Sequence, residues 1–264
     1  MTSPSTVDTA VRSARSMSMW RLEWLRFART SRWIVLFGVY LVFGLLGPVM
    51  AKYLPEIVGQ VQSEMTIIVP PPQPKDGIVN YVNQVAQIGL IVVVTIAANA
   101  LTFDARRGLS TFLRTRVNSM WALLQPRLVV TAAFAVLAYT LGTLAAWYET
   151  TLLLGPLPAA ALAAGVLCES IYLIFSIAVV AAASAFARGT LGTVGIALTV
   201  IIVLSIVGGL GVLHDWLPTT LAGAPVALLT TITLSSYLPA MVVAVGSSVA
   251  LVALALIILR AREV

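Results

Sequence analysis

From Ala159 to Ala187 the chain reads AAALAAGVLCESIYLIFSIAVVAAASAFA, a run with no basic residue and one acid, Glu169. As a helix rising about 1.5 Å per residue, it is more than long enough to cross the ~30 Å hydrocarbon core of a bilayer, for which roughly 20 apolar residues suffice. Comparable apolar windows lie at 33–50, 81–103, 126–147, 190–213 and 238–259. The whole chain shares this character, being 59% hydrophobic and only 10% charged over 264 residues, where a soluble domain carries about 25% charged residues. Its mean hydropathy is +0.99. The windows predict an all-α polytopic membrane protein with six transmembrane helices, forming a single transmembrane domain over residues 1–264. No internal repeat of 20 to 50 residues and no soluble domain is visible.

The spans are separated by helix breakers. A proline-rich segment runs from Val69 to Gly77, and shorter breaks fall at Gly155-Pro156-Leu157-Pro158 and His214-Asp215-Trp216-Leu217-Pro218. Between 214 and 237 the apolar piece Ala222–Thr233 is too short to span and is interrupted by Gly223 and Pro225, which predicts a pair of short outer-face or re-entrant helices. The first 32 residues are too long and too charged for an ordinary signal-peptide leader, so the window at 33–50 is expected to be a retained first span.

Charge sets the orientation. With the N-terminus inside, all fourteen arginines fall on the cytoplasmic side: six before the first span, five between Arg106 and Arg127, Arg188, and Arg260 with Arg262. Only Lys52 and Lys75 fall outside. Lys and Arg resist translocation, so N- and C-termini are both expected in the cytoplasm, as an even span number requires. The net charge of +6 therefore reports topology and contact with membrane lipid, not a nucleic-acid partner. Arginine and alanine dominance suits a GC-rich bacterial genome, and the bacterial inner (plasma) membrane is the expected location.

Several chemistries are disfavoured. Cys168 is the only cysteine and His214 the only histidine, so neither a multi-cysteine metal site nor an intramembrane His-based zinc site can form. His214 beside Asp215 reads as a solvated turn, and no catalytic residue or metal ligand is expected. A phosphate-binding Gly-x-x-x-x-Gly-Lys-Ser/Thr loop is missing, because Lys52 and Lys75 lack both the glycines and the following hydroxyl. Enzymatic activity, ATP hydrolysis included, is not expected of this chain.

Three features stand out against that background. Glu169 lies roughly 11 residues, or ~16 Å, from the outer end of its span. An ionised carboxylate there costs at least a few kcal/mol, so it should face the bundle interior, a wet cavity or a partner, or be protonated. A substrate-path or gating role stands beside a structural hydrogen bond as its two readings. Second, Met17, Trp20, Trp24, Phe27 and Ala28 share one helical side ahead of the first span, with Arg26 and Arg29 turned away. This predicts an amphipathic N-terminal elbow helix at the cytoplasmic interface, within a tail and elbow covering residues 1–32. Third, in the loop after the second span, Leu109, Phe112, Leu113, Met120, Trp121 and Leu124 recur at helical spacing, while Arg106, Arg107, Ser110 and Arg114 stay polar. That cytoplasmic loop, 104–125, is long enough to hold a helix that a partner could grip.

In these features the chain resembles the ABC-2 type family of ABC transporter permeases. In that family the second span typically ends in an acidic cluster, followed by Gly-Thr-Leu, a short amphipathic helix and a Pro-Arg-like approach to span three. Here the counterpart runs from Asp104 through Gly108-Leu109 to Arg116, with Asp104 for the usual Glu and Leu109 in the Thr position. The resemblance in architecture covers nearly the whole chain. It implies that residues 104–121 form a coupling helix seated in an ATP-hydrolysing subunit, with Asp104, Gly108, Leu109, Phe112, Leu113, Arg114 and Arg116 at the contact. It implies further that this chain binds no cofactor itself, ATP and Mg being held by that ABC ATP-binding subunit. A second permease subunit, identical or related, would complete a dimer in an exporter. Spans one and five commonly line that contact in the family, which makes Gly189, Gly192 and Gly195 the dimer-seam candidates; small residues at this spacing equally suit packing within one subunit. A secondary transporter using Glu169 in ion coupling is the alternative, and it would require internal symmetry and further ion ligands.

Overall fold

The computed structural model describes residues 19–61, 71–102, 120–187, 189–209, 211, 214–230 and 232–261. Among them there is no strand, and six helices are long and apolar enough to cross a membrane. A multi-pass membrane protein follows, in the order the apolar windows predict.

The first span lies in the helix Arg32–Val61, and the second is assembled from Pro74–Gln84, a π-helical turn Val85–Gly89, and Leu90–Leu101. Spans three to six are Met120–Leu153, Ala159–Phe186, Thr190–Gly209 and Leu238–Ala261. The spans sit where expected, but several ends move, and proline is the reason. The first helix continues through Pro48 and Pro55 beyond the expected end at residue 50. Such prolines are tolerated in membrane helices, where neighbouring groups satisfy the freed carbonyls. Pro74 opens the second span seven residues earlier than expected. It occupies the first turn, where its missing N–H costs nothing, and Asp76 Oδ2 accepts the backbone N–H of Gln73 at 2.7 Å. Span three starts at Met120, with Pro126 in its second turn instead of at its beginning. At 34 residues, about 51 Å, this helix exceeds the membrane core.

Span four is the centre of the bundle. Its described surface is the most buried of the six, and it packs against spans two, three, five and six. Spans one and three form a second close pair. At their crossing a Cβ on Gly44 would run into the backbone carbonyl of Gly142, so the two helices meet through bare backbone. Gly155, at φ +124°, turns the chain from span three into span four.

The segment 214–237 contains the expected short pieces: 3₁₀ turns at His214–Trp216, Pro218–Gly223 and Leu234–Tyr237, and a helical turn at Ala224–Ala227. Leu221 and Ala224 are fully buried against the bundle, and Pro225 presses on span four at Gly165. The segment therefore plugs the outer end of the bundle.

The elbow helix Met19–Arg29 forms as predicted and docks sideways on span three. Phe27 stacks on Phe134 with ring centroids 4.2 Å apart, and Trp24 lies 4.8 Å from the same ring. Trp20 stays exposed, as suits an indole on a helix that lies ahead of the first span.

Candidate functional site

Two polar constructions interrupt the apolar bundle. One surrounds Glu169 near the middle of span four, and the other forms a collar at the end that the arginine bias assigns to the cytoplasm.

Glu169 faces the bundle interior, as its desolvation cost demands, and is 4% exposed. Tyrosines from three other helices converge on it. Tyr40 of span one, Tyr81 of span two, Tyr139 of span three and, on its own helix, Tyr172 lie within electrostatic reach of its carboxyl group. The rings of Tyr40 and Tyr139 meet edge to face at 6.0 Å, and Tyr81 lies 6.0 Å from Tyr139. Tyr81 donates its hydroxyl hydrogen to the Tyr139 carbonyl at 3.2 Å. Thr143 donates to the same carbonyl at 2.9 Å and lies 3.4 Å from Tyr81 Oη.

The backbone is shaped to admit these hydroxyls. A Cβ on Gly142 would come within 2.6 Å of Tyr81 Oη, and one on Gly89 within 3.2 Å of Tyr40 Oη. Gly89 closes the π-helical turn of span two, a local widening that recurs at functional positions in helices. Despite this fit, Glu169 Oε2, Tyr40 Oη and Tyr139 Oη have no hydrogen-bond partner among the described residues. Each buried, unpaired polar atom costs about 1–3 kcal/mol. A cell carrying three of them is a place where another arrangement of the same helices, or a small polar guest, gains hydrogen bonds.

The tyrosines were not singled out in the sequence. The signal was there: aromatic belts put tyrosine at membrane surfaces, whereas Tyr40, Tyr139 and Tyr172 stand well inside their spans.

The cytoplasmic collar is built on Arg127, which is 4% exposed despite its charge. Its Nε lies 2.9 Å from Glu23 Oε1 of the elbow helix, and a terminal guanidinium nitrogen donates to the Ala100 carbonyl at 3.2 Å. Arg26 approaches the same Glu23 oxygen at 3.4 Å from the surface side. Beside this clamp, Thr102 Oγ1 and Thr190 Oγ1 are 2.9 Å apart, joining the end of span two to the start of span five. Arg127, counted among the inner arginines, is thus buried in the bundle. It ties the elbow to both helices that flank residues 103–119.

The coupling residues Asp104, Gly108, Leu109, Phe112, Leu113, Arg114 and Arg116 lie outside the described residues. The dimer-seam glycines can be placed. A Cβ on Gly189 or Gly195 would meet nothing within 4 Å, and one on Gly192 only the Ala187 Cβ at 3.4 Å. Among the described residues, none of these three glycines lies at a close crossing with another helix. His214 is held at its turn, with Nδ1 3.3 Å from the Gly208 carbonyl. No group of three or more metal-binding side chains occurs among the described residues.

No protein-family model, curated protein or solved structure matches this chain.

Proposed function

We propose that this protein is the membrane-spanning subunit of an ATP-driven exporter of the ABC-2 permease kind. It would form a substrate path with a second permease subunit and take its power from a separate ATP-binding subunit that carries ATP and Mg. The observation that best supports the reading is the collar. Arg127 joins the elbow helix to the exit of span two and the start of span three, and Thr102 adds span five. A force applied to the cytoplasmic loop between spans two and three would reach four elements through short, charged or hydroxyl contacts. An energy-coupling loop needs such a connection, since coupling requires packed elements with two discrete arrangements.

Alternating access would then move the helices around Glu169. The unpaired oxygens of the tyrosine cell supply a free-energy incentive for an alternative packing in which they find partners. Location in a bacterial inner membrane belongs to the same proposal, as does export as the direction.

The test is whether a P-loop ATPase is encoded beside this chain and co-purifies with it, followed by substitution of Phe112 and Leu113 with Glu. The expected result is a variant that inserts and purifies normally but loses ATP-driven transport at least about tenfold, the effect of ~1.4 kcal/mol of lost coupling. Transport at the unsubstituted rate would remove the coupling-helix assignment. Transport driven by an ion gradient without any ATPase would favour the secondary-transporter reading, with Glu169 as its ion-coupling group.

A further inference from the structure

Spans three and six both pack on span four but scarcely touch each other. Between them runs an open groove of about 840 Å³, with Ala178 of span four in its floor and Ala133 and Ala253 in its walls. On span three it extends from Trp121 to Leu137, a rise of about 24 Å. This covers the cytoplasmic half of the membrane, where one leaflet of hydrocarbon is ~15 Å deep. Volume and lining match those of sites for small amphiphilic molecules: apolar throughout, with isolated polar groups at Gln125 and Ser248.

The groove has a charged end. Along span six, Val249, Val252, Ala253 and Leu256 line it. Arg260, four residues beyond Leu256, lies on the same helical face one turn nearer the cytoplasm and is exposed. Trp121, 40% exposed, marks the same level on span three. An apolar slot one leaflet deep, ending at an arginine and an indole, complements a molecule with a hydrocarbon body and an anionic head. We infer that the groove between spans three, four and six is a binding site for one anionic phospholipid of the cytoplasmic leaflet. Its acyl chain lies over Ala133, Ala178 and Ala253, and its phosphate pairs with Arg260. This site is separate from the tyrosine cell and from the span-five face, and it stands whether or not the transporter reading holds.

The test uses a chain in which Trp121 is the one remaining tryptophan, the other five being replaced by Phe. It is reconstituted in phosphatidylcholine containing a small fraction of brominated phosphatidylglycerol or brominated phosphatidylcholine. Brominated phosphatidylglycerol should quench Trp121 with about fivefold preference over brominated phosphatidylcholine, the factor expected of one basic residue at the membrane surface. Arg260→Gln should abolish the preference, and Ala133→Phe with Ala253→Phe should abolish quenching above the level of bulk lipid. Native mass spectrometry of the otherwise unaltered chain, delipidated and given phosphatidylglycerol, should show one retained lipid that Arg260→Gln loses. Equal quenching by both lipids, with no retained phosphatidylglycerol, would overturn the proposal. So would protection of Trp121 from both, which would put a second copy of the chain, or another protein, in the groove.

Discussion

The most consequential single residue on the cytoplasmic side is Arg127. A guanidinium this buried needs its carboxylate, and Glu23 supplies it from a residue 104 positions earlier. Removing one partner of a buried pair leaves the other charge uncompensated, which costs about 3–5 kcal/mol when burial is complete. Glu23 keeps 16% of its side-chain surface exposed, and this moderates the loss. Glu23→Gln should lower stability by roughly 1–3 kcal/mol, and Arg127→Met by more, since it also abandons the Ala100 carbonyl. The double variant should cost less than the two added together, with a coupling of about 0.5–3 kcal/mol read from unfolding midpoints in detergent. Strict additivity would mean that the pair does not exist in solution. Glu169 calls for a different readout. Glu169→Gln keeps the shape and one acceptor, so assembly by size-exclusion profile should be unchanged while transport falls; lost folding with unaltered transport would make the residue structural. Of these two sites one was legible in the sequence. An acid amid twenty-eight apolar or small neighbours announces itself, whereas Arg127 follows a proline at a span end and looks like any inner arginine until the elbow folds back on it.

At the scale of elements, apolar windows located every span because lipid exposure demands unbroken apolar length. The ends were less legible, since the same residue, proline, starts span two, sits in the second turn of span three and occurs twice inside the first helix. Hydropathy reports where a helix meets lipid; it does not report how far the helix continues into the interface. The outer plug shows the complementary case. Its short helices were expected from length and from Gly223 and Pro225, but its docking depends on Gly165, where a Cβ would stand 2.6 Å from Pro225 Cα. Gly165→Leu therefore has to displace backbone and should destabilise by about 1–3 kcal/mol. Gly246→Ala on span six, with nothing within 4 Å of its added carbon among the described residues, should not destabilise and should gain up to about 1 kcal/mol from alanine's better helix propensity. Thermal unfolding of both in the same detergent checks the contrast. A Gly165→Leu protein as stable as its parent would show that the plug rests only loosely on span four.

For the whole molecule, the question left by the packing is what covers span five. Its inward face is met by spans two and four at Thr193, Ala197 and Ile201, all buried. Its outward face carries Leu191, Ile202 and Ile206, which are 87%, 56% and 62% exposed, together with the open glycines Gly192 and Gly195. Lipid can cover isoleucines and leucines, but glycines on an outward face add nothing to lipid contact and weaken the helix by about 1 kcal/mol each relative to alanine. Close approach of a second helix gives them a use, because bare backbone lets axes come near and gain dispersion contact. A two-fold pair of these chains meeting through span five would satisfy this face and leave the groove between spans three, four and six open to lipid. The prediction is made in a Cys168→Ala background, so that the introduced thiol is the only one. Leu191→Cys in native membranes should form a disulfide-linked dimer on mild oxidation, whereas Val242→Cys on span six, at a site 71% exposed, should not. If both cross-link equally, collision and not a seam accounts for the products. If only Val242→Cys cross-links, the pair meets through span six, and the glycines of span five face lipid after all.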